Sequence, residues 1–120
     1  MSYQEFVSQL KQLKYDVTEI GGNKISFPYD IPTGKLRGQK VYLGFEVPVD
    51  FPNTPPGGPH IKPRILPLNK NATTHPAKVL ESPNFGPDWE YWSRPIRGWA
   101  ESDHTVRYYM THIRSLFVTL

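Results

Sequence analysis

Apolar residues recur at a helical spacing at the start of the chain, where SYQEFVSQLKQL places Phe6, Val7, Leu10 and Leu13 on one stripe among polar neighbours. That pattern predicts an amphipathic helix over 2–13, and Ser2 three residues before Glu5 has the form of a capping box. The period then changes. Gly21, Gly22 and Asn23 mark a turn between two short strand candidates, Val17 to Ile20 and Lys24 to Phe27. In KVYLGFEVP the positions Val41, Leu43, Phe45 and Val47 alternate with Tyr42, Gly44 and Glu46, the period of two expected of a half-buried strand. At the other end of the chain, Val106, Tyr109, Met110, Ile113, Leu116, Phe117 and Leu120 form a wide stripe at helical spacing, with Ser102 or Asp103 as the expected N-cap.

Between these patterned ends the chain reads differently, because ten of its thirteen prolines fall between Pro48 and Pro87. Proline removes a backbone donor and restricts the residue before it, so most of this interval is expected to be loop. One short proline-flanked strand, Ile61 to Leu66, is expected at a sheet edge. A long ordered loop in a small domain either carries function or caps one side of the sheet. The element order predicts an α+β fold: one domain over 1–120, an N-terminal helix, an antiparallel meander of about four strands, a proline-rich loop and a core-facing C-terminal helix.

Composition narrows the chemistry. The 120 residues include no cysteine, which excludes disulfides, thiolate metal sites and thioester chemistry for this chain. No run of about 18 apolar residues occurs and MSYQEF lacks the features of a secretory signal, so a soluble cytoplasmic protein without membrane association is expected. The net charge is only +3 and the basic residues are spread from Lys11 to Arg114, which argues against nucleic acid as a partner. The four histidines, at 60, 75, 104 and 112, lack chelating spacing, so neither a metal nor a cofactor is expected. His75, Ser82 and Asp88 have the residue types of a hydrolase triad, but such sets arise by chance in a polar loop. Gly57 and Gly58 sit among prolines and read as a turn, because a phosphate cradle would need a helix to follow. The segment DWEYWSRPIRGW holds all three tryptophans. At least two of them are expected in the core, with Trp92 and Trp99 favoured over Trp89, and Arg94 is expected to tie down loop carbonyls or a carboxylate.

These landmarks together resemble the ubiquitin-conjugating-enzyme superfamily. The strand VYLGFEVPVDFP followed by NTPPGGPHI is similar to the family's strand ending in an aromatic-proline pair before a PP dipeptide, at Phe51, Pro52, Pro55 and Pro56. His75 and Pro76 stand where the family has the first two residues of its His-Pro-Asn motif. Trp89, Trp92, Ser93, Arg94, Trp99 and Asp103 look like the Trp-x-x-Trp-Ser-Arg core, later Trp and acidic residue of a bacterial branch, the prokaryotic conjugating-enzyme-like family E.

The resemblance implies a transferase that carries a ubiquitin-like modifier on a cysteine, yet Leu80 to Pro87, where that cysteine would stand, has none, and Ala77 replaces the motif asparagine. Thioester formation is therefore not expected. Ser82 is the best-placed stand-in for a replaced cysteine, and His75 and Ser93 are the other active-site-like positions. By the same resemblance, Tyr3, Phe6, Lys11 and Lys14 would face an activating enzyme, and the loop with Phe51, Pro55 and Pro56 would meet another partner. Three readings stay open: a natural cysteine-less variant that binds a ubiquitin-like protein or an activating enzyme, a conjugating enzyme in Cys-to-Ser or Cys-to-Ala form, and an unrelated small α+β interaction or nucleic-acid-binding domain.

Overall fold

A computed structural model of the protein describes residues 2–65, 79–82, 84–93 and 96–118. Helix α1 (Ser2–Gln12) is followed by strands β1 (Thr18–Gly21), β2 (Lys24–Asp30), β3 (Lys40–Glu46), β4 (His60–Lys62), β5 (Val79–Glu81) and β6 (Glu90–Trp92), then by helix α2 (Val106–Val118). All strand pairs are antiparallel, in the order β1-β2-β3-β4-β6-β5. The α+β class and the two terminal helices agree with the sequence pattern.

Both helices pack on one face of the sheet. The inward positions are Ile25, Phe27 and Tyr29 of β2, Val41, Leu43 and Phe45 of β3, Ile61 of β4 and Trp92 of β6, and they meet Phe6, Val7 and Leu10 of α1 and the Val106-to-Phe117 stripe of α2 in one cluster. Burying each such side chain contributes about 1.5–3 kcal/mol. Phe6 lies edge-on to Phe45, Phe51 and Tyr109 at ring separations of 5.1–6.4 Å, the geometry aromatic quadrupoles prefer.

Three expectations change. The sheet has six strands where about four were expected, because β5 and β6, each three residues long, extend it beyond β4. Strand β4 is consequently internal and not at an edge; it begins at His60, and Leu66, the expected end, is outside the described residues. The cap of α2 is Thr105, whose Oγ1 accepts from the Tyr108 amide at 3.2 Å. Ser102 and Asp103 instead hold the approach to it, accepting from the His104 and Thr105 amides. A further orphan donor of that helix start, the Val106 amide, is satisfied by Gln9 Oε1 of α1 at 2.8 Å, which ties the two helices together.

Trp92 and Trp99 are in the core, 0% and 6% exposed, as the segment's aromatic density led us to expect. The Trp99 indole donates to the Pro52 carbonyl at 2.9 Å and lies beside Phe51, so it clamps the loop after β3. The same loop is held at Gly57 and Gly58 from two sides: the Tyr109 hydroxyl donates to the Gly57 carbonyl, and the Tyr91 hydroxyl accepts from the Gly58 amide. Among the described residues no helix is long and apolar enough to cross a membrane.

Candidate functional site

The face of the sheet turned away from the helices carries the polar and reactive groups. Strand registry sets a transverse row of Ser26, Gly44, His60, Tyr91 and Leu80 on neighbouring strands. Alternation explains why: each is one residue out of phase with a core position such as Ile25, Leu43 or Ile61. The segment after β5 folds back over this row. Its turn is closed by the Phe85 and Gly86 amides donating to the Ser82 carbonyl, and it is fastened by Lys24 Nζ donating to the Asn84 carbonyl at 3.0 Å and by Asn84 Nδ2 donating to Glu46 at 3.1 Å.

Gly44 is the residue that lets it close. A Cβ there would stand 2.6 Å from the Phe85 ring, so the ring occupies the space a side chain would take. Phe85 in turn covers His60 at a ring separation of 4.2 Å, with Tyr91 on that imidazole at 4.7 Å. Under this cover His60 Nδ1 and Ser82 Oγ are hydrogen-bonded at 2.6 Å, and Ser82 is 2% exposed. Burial, with a smaller repulsion from Lys24, pushes the His60 imidazole down to about 4, so it is neutral at physiological pH. A cavity of about 700 Å³ opens beside the pair, with Val47, Pro48, Gly58, His60, Leu80 and Tyr91 on its walls. That is the size and mixed lining of a ligand or peptide pocket.

A hydroxyl hydrogen-bonded to a neutral imidazole is the elementary pair of a base-activated nucleophile. Here two features hold it back. The hydroxyl is enclosed, and among the described residues no carboxylate bonds the imidazole to orient it, Asp88 being exposed. The arrangement as folded suits a lock that seats the segment on the sheet.

Gly44→Val tests this enclosure. The branched side chain should displace Phe85, raise the His60 titration midpoint from about 4 towards 6.5, and make residue 82 accessible. Histidine NMR titration and thiol labelling of a Gly44→Val, Ser82→Cys double variant read the two effects, and an unchanged His60 midpoint would contradict the account.

The expected positions fare unevenly. Ser82 pairs with His60, a residue to which no motif assigns chemistry; its one signal is a polar residue just before the strand candidate that starts at Ile61. Ser93 is half-buried beyond the end of β6. His75, Pro76, Ala77 and Arg94 lie outside the described residues. Trp89 is buried, but on the outer face against Phe85 at 5.1 Å and under Lys62, not in the core cluster. Of the residues expected at partner surfaces, Phe6 and Phe51 are 0% and 1% exposed and serve the core, and Pro56 is buried too. Lys11 and Lys14 are exposed, Pro55 and Pro52 are half-buried, and half-buried Tyr3 has its hydroxyl pushed up to about 12, by desolvation foremost and then by Glu19. Among the described residues no cluster of three or more potential metal ligands occurs.

Glu90 went unforeseen. It is a fully buried carboxylate facing the core side of β6, accepting from the Trp92 indole at 2.7 Å and from the Ile65 amide at 2.9 Å. No protein-family model, curated protein or solved structure matches the chain.

Proposed function

We propose that the protein is a binding module: a ubiquitin-conjugating-enzyme-like domain without a thiol nucleophile, which recognises a ubiquitin-like modifier, an activating-enzyme partner, or both, in a bacterial conjugation system. One observation carries the reading. Ser82, the residue nearest where the family would carry its cysteine, is enclosed at 2% exposure and committed to His60, so the position serves the fold and offers no accessible nucleophile. The element order is compatible with the resemblance, a helix, an antiparallel meander and a C-terminal helix. Surfaces suited to a protein partner are exposed Lys11 of the first helix, exposed Lys14 just beyond its end, and the loop after β3, where Val49 is 82% exposed and lines the cavity with Pro48.

Calorimetric titration with ubiquitin, with a bacterial ubiquitin-like protein, and with a cognate activating enzyme tests the proposal. Binding of at least one with a Kd of about 10 μM or tighter is expected. In the presence of ATP and activating enzyme, neither the chain nor Ser82→Cys should form a reductant-sensitive adduct. A thioester on Ser82→Cys would replace the proposal with a conjugating enzyme seen in its serine form. Absence of any protein binding, together with tight salt-sensitive binding of oligonucleotides, would sink both.

A further inference from the structure

A second cavity, of about 710 Å³, shares no lining residue with the one beside His60 and lies where the end of α1, the β2–β3 end of the sheet and one flank of α2 meet. Four cationic side chains line it, Lys14, Lys40, Arg107 and Arg114, against two carboxylates, Asp16 and Asp30. This local excess of two charges makes up most of the excess of three in the whole chain. None of the four cations forms an ion pair or a side-chain hydrogen bond with a described residue.

Their placement follows from the local structure. On α2, Arg107, Met110, Thr111 and Arg114 fall at i, i+3, i+4 and i+7, a ridge beside the core stripe, which puts the two guanidinium stems about 10 Å apart along the axis. On α1, the helix ends in a Schellman arrangement: the Tyr15 amide bonds the Leu10 carbonyl at 3.2 Å and the Lys14 amide the Lys11 carbonyl at 3.0 Å, with Lys14 in the left-handed region at φ 74°. Glycine is the ordinary residue at that position, so the chain keeps a lysine here against its backbone preference. The reversal turns the chain so that Lys14, half-buried Tyr15 and Asp16 become a wall of the cavity. Tyr29, on another wall, keeps its proton throughout the physiological range, since burial foremost pushes its hydroxyl up to about 12; it is a permanent donor.

We infer that this cavity binds a small polyphosphate anion, of the pyrophosphate or nucleoside diphosphate class, between Arg107 and Arg114 of the second helix and Lys14 and Lys40 opposite. Guanidinium forks match phosphate oxygens two at a time, and four unpaired cations facing two carboxylates leave a charge deficit that a polyanion fills better than a single carboxylate does. A volume of about 710 Å³ admits a nucleotide but not a folded partner. The inference does not rest on the proposed protein binding: apart from Lys14, no residue lining this cavity belongs to the surfaces that binding uses.

NMR titration of the intact chain with pyrophosphate and with ADP, at fixed ionic strength, tests it. Amide shifts should concentrate at 14–16, 29–30, 40 and 107–114, and tighter binding of ADP than of pyrophosphate would assign the base to the Tyr15 side. The Arg107→Gln, Arg114→Gln double variant should weaken binding at least tenfold. Lys14→Gly separates binding from folding: releasing a non-glycine residue from the left-handed region should raise Tm by about 4 °C, while affinity falls several-fold. No shift with millimolar pyrophosphate, shifts spread over all lysines, or an oligonucleotide binding more tightly per phosphate than ADP would each overturn it.

Discussion

Replacing Glu90 by alanine should lower the unfolding free energy by about 3–5 kcal/mol, a large part of the 5–15 kcal/mol that holds a domain of this size. The carboxylate accepts from the Trp92 indole at 2.7 Å and from the Ile65 amide at 2.9 Å, and it is entirely enclosed. Alanine leaves both donors buried without an acceptor, at about 1–3 kcal/mol each, and adds a cavity. Glu90→Gln should cost less, because an amide oxygen can still serve one of these two donors while its NH₂ opposes the other. In urea the midpoint should fall with the slope unchanged, as expected for lost native contacts and not for a more compact unfolded state. A cycle with Trp92→Phe should give clear non-additivity, since that change removes one of the donors Glu90 accepts from. A loss below about 1 kcal/mol for Glu90→Ala would show that the carboxylate does not hold β6 to the segment after β4.

Such a residue is hard to find in sequence. EYW obeys the alternation of a strand, but the inward position before Trp92 is a glutamate, and ionised carboxylates are seldom buried without partners. Only the indole two residues on, on the same face, hints at a partner for it. The helices and β3 were legible because long periodic stretches average over exceptions; their inward residues are among those in the stripes, except that Leu13 falls beyond the end of α1 and is exposed, and Leu120 lies outside the described residues. Strands β5 and β6 were not legible because three residues carry too little period to outweigh flanking prolines and glycines. Ser82 was found by resemblance, but its partner His60 is twenty-two residues away and meets it only through the registry of β4, β6 and β5. The basic residues looked diffuse along the chain, from Lys11 to Arg114, yet the fold gathers four of them, from the turn after α1, from β3 and from α2, around one cavity. Spacing in sequence reports local faces; it does not report what tertiary contacts bring together.

Stability should fall by about 3 kcal/mol as the pH drops from 6.5 to 4, with His60 as the cause. In the folded protein the imidazole lies between Phe85 and Tyr91, and burial, then Lys24, disfavours its charged form until about pH 4. The unfolded chain takes the proton near 6.5, so between these values it binds more protons than the folded state and gains on it with each step downward. Above 6.5 both states are neutral at this position and the stabilisation is complete; below 4 both are protonated and no more is lost through it. Asp103, whose carboxyl is held below its usual range chiefly by the Thr105 hydroxyl, responds only at lower pH, so the two groups are separable. Urea denaturation at half-unit pH steps should show the decline, and His60→Gln should flatten it even though that variant starts from a lower stability. Histidine NMR gives the direct check, with a His60 midpoint near 4 in the native chain. If His60 titrates near 6.5 while the protein is folded, or the two stability profiles run parallel from 6.5 to 4, the imidazole is not enclosed and the lock over Ser82 is open in solution.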